Sequence, residues 1–459
     1  MTKIIISINP GKNFEKIGEV KVSSEEEIIS FVHAAQSAKL NWKEAGLQKR
    51  LAYLEKLYNA FESQKEKIAI LITTETGKPI SQTRKEVSFF QSYNKWNLEN
   101  ASKILSDVIS YEDEKSRHKI VYEPIGVSAI LLPWNSPFGL FSWKVFTNLI
   151  VGNTVIVKHS EECSLTAKLI EKIVSQADLP NGVFNMIYGD GEIGEFLASQ
   201  DIDLISFTGS SKVGKKLYRV AAKKFIKAIM DLGGSNPALC FEDANVSNLS
   251  KRVFSGRFAN CGQNCDATKR LIVHENQKDN IIDALVKELE NKKIGYPSDE
   301  QTYFGTLISK KQVKYAEEQL KDALNNGAKI IAQLKIPKNL SGAYFPPTIL
   351  SNVSKDMKVW KEEVFAPILP VISFKTENEA IELANDTNFG LGATIFTKDR
   401  NLFTKVANRL HCGNIEHNNV SQWLPCNPFG GYKESGIGRE NGEIGLRELC
   451  QIKVISESK

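Results

Sequence analysis

Val127-Ser128-Ala129-Ile130-Leu131-Leu132 runs directly into Pro133-Trp134-Asn135-Ser136-Pro137. The first six residues are an apolar run of strand length, and the five after them favour a turn. The unit recurs. Thr154-Val155-Ile156-Val157, Val183-Phe184-Asn185-Met186-Ile187-Tyr188 and Leu204-Ile205-Ser206-Phe207 are further apolar runs, with helical patterns such as residues 165–177 between them. Mostly apolar strands separated by helices predict a parallel sheet covered on both faces. Upstream, Ser24-Glu25-Glu26-Glu27 opens a helix with Glu27 at the capping-box position, and helical patterns continue to about Ile104. Residues 119–126 read as a strand ending near Pro124 and Gly126. Downstream, a second α/β stretch covers about 271–419, and Gln451-Ile452-Lys453-Val454-Ile455 is a strand-like tail. The expectation is two α/β domains.

Composition narrows the functional classes. The chain has 459 residues, 42% hydrophobic and 25% charged, which excludes disordered, collagen-like and coiled-coil classes. A net charge of +5, from 59 basic and 54 acidic residues, is close to balance and gives no reason to expect nucleic acid. The longest apolar run is too short to span a bilayer, and Met1-Thr2-Lys3-Ile4-Ile5-Ile6 lacks the features of a secretory signal. Seven cysteines without repeated spacing do not form a disulfide framework. The expected setting is a reducing cytoplasm, where a free thiol persists.

Two glycine patterns compete for phosphate. Gly189-Asp190-Gly191-Glu192-Ile193-Gly194 is a literal G-x-G-x-x-G between a strand and a helix. Its acidic partner about 20 residues on is missing, and Asp190 and Glu192 repel phosphate. Phe207-Thr208-Gly209-Ser210-Ser211-Lys212-Val213-Gly214-Lys215-Lys216 matches most of a P-loop, but Lys216 stands where the magnesium-binding Ser or Thr belongs. A nucleotide hydrolase is therefore an alternative without its metal ligand.

Asn260-Cys261-Gly262-Gln263-Asn264-Cys265 lies between an amphipathic helix and the apolar Leu271-Ile272-Val273. A cysteine on a glycine-containing loop is a candidate nucleophile, since backbone N–H donors surround it. The plainer reading is a buried structural thiol. His411, Cys412 and His417 are too distant and irregular to complete a zinc site, so no metal is expected.

Taken together, these segments resemble the aldehyde dehydrogenase superfamily over nearly the whole chain. Seven motifs fall in the family order: Pro133–Pro137; Lys158-His159-Ser160-Glu161; Phe207–Ser210 with Val213-Gly214; Asp231-Leu232-Gly233-Gly234; Asn260 through Cys265; Glu362-Glu363-Val364-Phe365-Ala366-Pro367; and Pro428-Phe429-Gly430-Gly431-Tyr432-Lys433-Glu434-Ser435-Gly436. The resemblance implies a Rossmann-type cofactor domain (1–105 and 125–232), an α/β catalytic domain (233–433) and a small β oligomerisation element (106–124 and 434–459). It implies a homodimer or homotetramer, built through residues 106–123 and 451–455.

It also implies roles. Cys265 would attack the aldehyde, and the Asn135 amide with the Cys265 N–H would form the oxyanion hole. Asp231 stands where the family usually has Glu as the hydrolytic base, 34 residues before Cys265. One methylene fewer shortens the reach by about 1.5 Å, and a misplacement of about 1 Å can cost on the order of 10²-fold in rate. Branches that pass the acyl group to coenzyme A lack this Glu, so an acylating enzyme is the nearest alternative. An inert binding protein is another. For the cofactor, Leu132, Pro133, Trp134, Lys158, Ser160, Glu161, Gly191, Gly209, Ser210, Val213, Gly214, Leu232, Gly233, Glu363 and Phe365 match the contacting positions. A carboxylate at Glu161 favours a ribose diol over a 2′-phosphate, hence NAD, with NADP left open by Lys158 and Lys212.

Ser136, Trp143, Asn264, Asp266, Trp423 and Phe429 match the substrate tunnel. The chain resembles shorter bacterial succinate-semialdehyde dehydrogenases, which often carry an arginine where Trp143 stands. Arg257 is a candidate substitute, against the plainer reading of a helix residue salt-bridged locally. Asp266 beside Cys265 would repel an anion, so a neutral or cationic aldehyde suits these residues as well as succinate semialdehyde.

Overall fold

The structure, a computed structural model, describes residues 3–420 and 423–459. It opens with a β-hairpin, Ile4–Asn9 paired with Glu15–Lys21, that the apolar start did not announce. Three helices follow: Glu25–Glu44, Leu47–Thr76 and Ile80–Ile104. The Ser24 hydroxyl accepts from the Glu27 N–H at 3.2 Å, and the Glu27 carboxylate accepts from the Ser24 N–H at 3.3 Å. That is the capping box read from the sequence.

Six strands form one sheet in the order Gly436–Ile437, Lys227–Asp231, Leu204–Thr208, Val127–Leu131, Thr154–Lys158, Phe184–Ile187. All pair in parallel except Gly436–Ile437, which joins Asp231 and Met230 antiparallel. Those two residues, counted from sequence with the C-terminal oligomerisation element, thus lie on the edge of this sheet instead. Chain order runs outward in both directions from Val127–Leu131. A parallel sheet of this kind opens a crevice at the carboxyl ends of the strands where the order reverses, and Leu132 to Asn135 emerge there.

Both faces of the sheet are covered. Val127, Ala129 and Ile205 pack into one apolar cluster, and Ile130, Val155 and Leu204 into another. Burying each of the Val, Leu and Ile side chains is worth about 1.5–3 kcal/mol, which explains why these strands read as unbroken apolar runs.

Seven strands form the second sheet: Lys329–Gln333, Thr348–Ser351, Ile368–Phe374, Thr268–His274, Asn236–Cys240, Gly392–Phe396 and Asn414–His417. It is parallel apart from its first pair. A third, antiparallel sheet orders Cys450–Ser458, Ser116–Pro124 and Val108–Glu112. Among the described residues no helix is long and apolar enough to cross a membrane.

Candidate functional site

The cysteine loop is built on a left-handed turn. Asn260, Cys261 and Gly262 have φ of +50°, +51° and +74°. For the two non-glycine residues this conformation costs roughly 1–2 kcal/mol each, so other contacts must hold it. The Asn260 N–H donates to Gln82 Oε1 at 2.7 Å, and Asn260 Nδ2 donates to the Asn135 carbonyl at 3.2 Å. Gln263 is buried and locked, donating to the carbonyls of Asn260 (3.0 Å) and Thr306 (3.1 Å) while accepting from the Ile308 N–H (3.0 Å). A Cβ on Gly262 would lie 2.7 Å from the Ala366 carbonyl oxygen. Each fixed letter of the loop motif thus has a local reason.

The loop delivers Cys265, half-buried, to a cavity of about 540 Å³. Asn135, Ser136, Asn264, Asp266 and Trp423 share its lining with Phe89, Phe90 and Leu140. Asn135 Nδ2 donates to the Gln263 carbonyl at 3.0 Å, which ties the amide to the cysteine loop, and the amide carries a second hydrogen. Trp143 and Phe429 line instead an adjoining cavity of about 400 Å³, shared with Asp266 and Trp423. Their rings meet edge to face at 5.3 Å, and Trp423 contacts both at 5.6 Å.

Asp231 ends its strand behind this wall, only 3% exposed. Burial, then the Glu440 carboxylate, push its carboxyl above the ordinary range, against the nearby Lys144 ammonium. The Thr208 hydroxyl donates to it at 3.5 Å. The Cys265 thiol is likewise held well above its usual value, by burial and by Asp231, Asp266 and Glu363, with Lys269 opposing.

Lys144 and Glu440 form a buried ion pair that sequence reasoning missed. Lys144 follows Trp143 in a π-helical segment, Ser142–Phe146, set between helices Pro137–Phe141 and Thr147–Val151. Such wide turns re-aim side chains and are frequent at functional sites. A lysine inside the apolar Phe138–Val151 run was the available signal; its partner, 296 residues away, had none.

The cofactor-side positions cluster at the carboxyl ends of the six-stranded sheet. The Leu132 N–H donates to the Lys158 carbonyl at 2.9 Å. Lys158 is buried, which lowers its pKa, and lies 3.8 Å from the Glu161 carboxylate, whose side chain is 44% exposed. Ser160 caps the short turn after it, accepting from the Glu162 N–H. Ser210 caps the helix Ser211–Lys224 by accepting from the Val213 N–H at 3.4 Å. A Cβ on Gly209 would strike the Phe207 ring, and one on Gly214 would press on Leu232, while Gly191 faces open space. The Ser435 hydroxyl donates to the Gly233 carbonyl at 2.7 Å, and the Leu232 N–H donates to the Ser435 carbonyl at 2.9 Å. Glu363 Oε1 accepts from the Gly234 N–H at 3.1 Å, and Phe365 meets the Trp134 ring at 5.6 Å. An exposed diol acceptor at Glu161, a capped helix start and a bare Gly191 together fit a dinucleotide.

As the two carboxylates within it suggest, the G-x-G-x-x-G does not offer a bare helix start: Asp190 caps it, its carboxylate accepting from the Glu192 N–H at 3.0 Å. Lys215, the P-loop lysine, pairs with Glu434 at 2.7 Å. Arg257 lies outside the cavity and has no salt bridge among the described residues; it is fully buried and donates to the carbonyls of Val364 and Ala366.

The chain matches the description "Aldehyde dehydrogenase family" over residues 2–455. It is 35% identical to a mitochondrial succinate-semialdehyde dehydrogenase of Oryza sativa subsp. japonica, covering 96% of this chain and 84% of that protein. A crystal structure of betaine aldehyde dehydrogenase from Staphylococcus aureus in complex with NAD+ superposes with TM-score 0.94 at 31% identity, covering 99% and 91% of the two chains. An NADP-dependent enzyme of E. coli superposes with TM-score 0.96 at 31% identity, covering 100% and 95%. The match spans both parallel sheets and the cysteine loop between them, and it sets the nucleotide-hydrolase reading aside: this chain belongs to the aldehyde dehydrogenase family, oxidoreductases acting on aldehydes.

Proposed function

We propose that this chain oxidises an aldehyde to a carboxylic acid through a covalent bond to Cys265. The observation that carries the reading is the convergence of Cys265 and Asn135 on one cavity, with the buried Asp231 carboxyl acting on the thiol from behind. Cys265 gives its thiol proton to solvent, and its sulfur bonds to the carbonyl carbon to give a thiohemiacetal. The oxyanion accepts from Asn135 Nδ2–H and from the Cys265 N–H; one such donor is worth roughly 3–4 kcal/mol in comparable sites. Bound NAD supplies the hydride acceptor. Oxidation leaves a thioester on Cys265. Asp231 takes a proton from the water that attacks the thioester carbonyl; the C–S bond breaks, the acid leaves, and the proton returns from Asp231 to the Cys265 sulfur. An acylating enzyme would hand the thioester to coenzyme A instead.

Lys158, Ser160 and Glu161 hold the adenosine ribose in this reading; Gly191, Gly209, Ser210, Val213 and Gly214 meet the adenine and pyrophosphate; Leu132, Pro133, Trp134, Leu232, Gly233, Glu363 and Phe365 meet the nicotinamide half. The Glu161 carboxylate disfavours a 2′-phosphate, which supports NAD over NADP. The substrate class is a neutral or cationic aldehyde, because Asp266 adjoins Cys265 and no arginine lines the cavity among the described residues. Succinate semialdehyde is the second reading, favoured by Lys85, an exposed rim lysine with no ion-pair partner among the described residues. The division into cofactor domain, catalytic domain and β element belongs to the same reading. So do a cytoplasmic setting and a homodimer or homotetramer built on the edge strand Cys450–Ser458, where Ile452 and Val454 are exposed.

The test is turnover of a panel of short, carboxylated, aromatic and amino aldehydes with NAD and with NADP, each with and without coenzyme A. Free acid with NAD supports the reading. An acyl thioester formed only with coenzyme A replaces it, and a clear NADP preference refutes the Glu161 argument.

A further inference from the structure

Two fully buried cations, Arg257 and Lys269, stand behind the loop 362–367 and have no part in the scheme above. Arg257 grips that loop by its carbonyls. Lys269 grips it by its side chains: Nζ lies 3.4 Å from Glu363 Oε1 and 4.5 Å from the centre of the Phe365 ring. The approach is close because residue 233 is glycine; a Cβ there would collide with the Glu363 carboxylate. A buried ammonium without an anion is costly, so Lys269 and Glu363 fix each other. Lys269 is also the second residue of the strand that leaves the cysteine loop, four residues after Cys265. The groups facing it are Glu363, Arg257 and Cys265. Asp231 and Asp266 act on the same sulfur, and Lys269 is the cation that opposes these carboxylates there.

We propose that Lys269 is a positioning residue that couples the cofactor side of the site to the nucleophile. Its ammonium holds Glu363 and Phe365 in place and favours the Cys265 thiolate. The inference rests on the reading that Glu363 and Phe365 meet the nicotinamide half. Burial lowers the Lys269 pKa to about 8, so the coupling weakens as pH rises through that value.

The test uses the full-length enzyme and two readouts: KM for NAD against kcat, and the pH of half-maximal Cys265 labelling by iodoacetamide. In Lys269→Met the KM for NAD rises about tenfold while kcat falls less, and the labelling midpoint moves up by about one pH unit, the scale of a lost charge partner. A folded Lys269→Met with native KM and native midpoint overturns the proposal. Should that variant not fold, Glu363→Gln decides: it raises the KM for NAD and abolishes the rise of that KM with pH that the native enzyme shows through about 8; a native enzyme without that rise, or a variant that keeps it, overturns the proposal. If Glu363→Gln leaves the KM for NAD native, the cofactor assignment of Glu363 fails and takes the coupling with it. If Glu363→Gln raises the KM and Lys269→Met does not, the role of Lys269 alone fails.

Discussion

Cys265 has two unlike flanks. On one lies Asp231, backed by the ion pair of Lys144 with Glu440. On the other lies Lys269, held by Glu363 under the Phe365 ring. Burial acts on both flanks and drives each group toward neutrality, raising the acid and lowering the base. Partner charges decide the remainder. Glu440 adds to the rise at Asp231, whereas Glu363 resists the fall at Lys269. In the proposed scheme one flank is a carboxyl that must lose a proton before it can accept one, and the other a cation that must keep its proton. A single low-dielectric pocket supports both because each flank has its own counter-charge.

The largest effect separates the flanks outright. Asp231→Asn removes the base and leaves Lys269 untouched, so acid release falls by roughly 10²–10⁴-fold, the usual weight of a general base. NADH then appears as a single burst equal to the enzyme concentration, followed by a stall. Unchanged steady-state acid production at saturating aldehyde contradicts the role given to Asp231.

An intermediate effect sharpens the acid flank. Because the Asp231 carboxyl is raised, hydrolysis speeds up as pH rises through its pKa and slows as pH falls below it. Lys144→Met removes the charge that opposes the rise and so moves the rate profile to higher pH. It also leaves Glu440 buried alone, at about 3–5 kcal/mol of stability, readable by urea denaturation. Glu440→Gln removes a carboxylate that raises Asp231 and moves the profile to lower pH. Shifts of the same sign in both variants break this electrostatic account.

The smallest effect lies on the cation flank. Phe365→Leu takes the ring from beneath the ammonium and loses about 0.5–2 kcal/mol. The KM for NAD rises a few-fold, with the acid-release profile unmoved. A change in that profile means the flanks are not separable.

Much of this was legible beforehand, and the reason is locality. The strand Val127–Leu131, the Ser24 cap and the cysteine loop are written in contiguous residues whose pattern matches their surroundings. The ion pair of Lys144 with Glu440 was not, because its halves meet only after the chain has folded. Lys269 was hidden differently. It sits in the strand Thr268–His274 beside Arg270, and nothing in two adjacent cations tells that both are fully buried. The G-x-G-x-x-G was legible together with its own counter-signal, since Asp190, one of the two acidic residues within it, caps the helix it opens. The hairpin Ile4–Asn9 with Glu15–Lys21 escaped because the second strand has only Ile17 and Val20 as apolar side chains, three residues apart and not alternating.

The most direct measurement is NADH formation by Cys265→Ser, alongside the native enzyme, with an aldehyde the native enzyme turns over. Oxygen in place of sulfur is a far weaker nucleophile in a site whose carboxylates already disfavour an anion. The account predicts background NADH, burst included, in a variant that still folds and binds NAD. NADH accumulating at the native rate contradicts it.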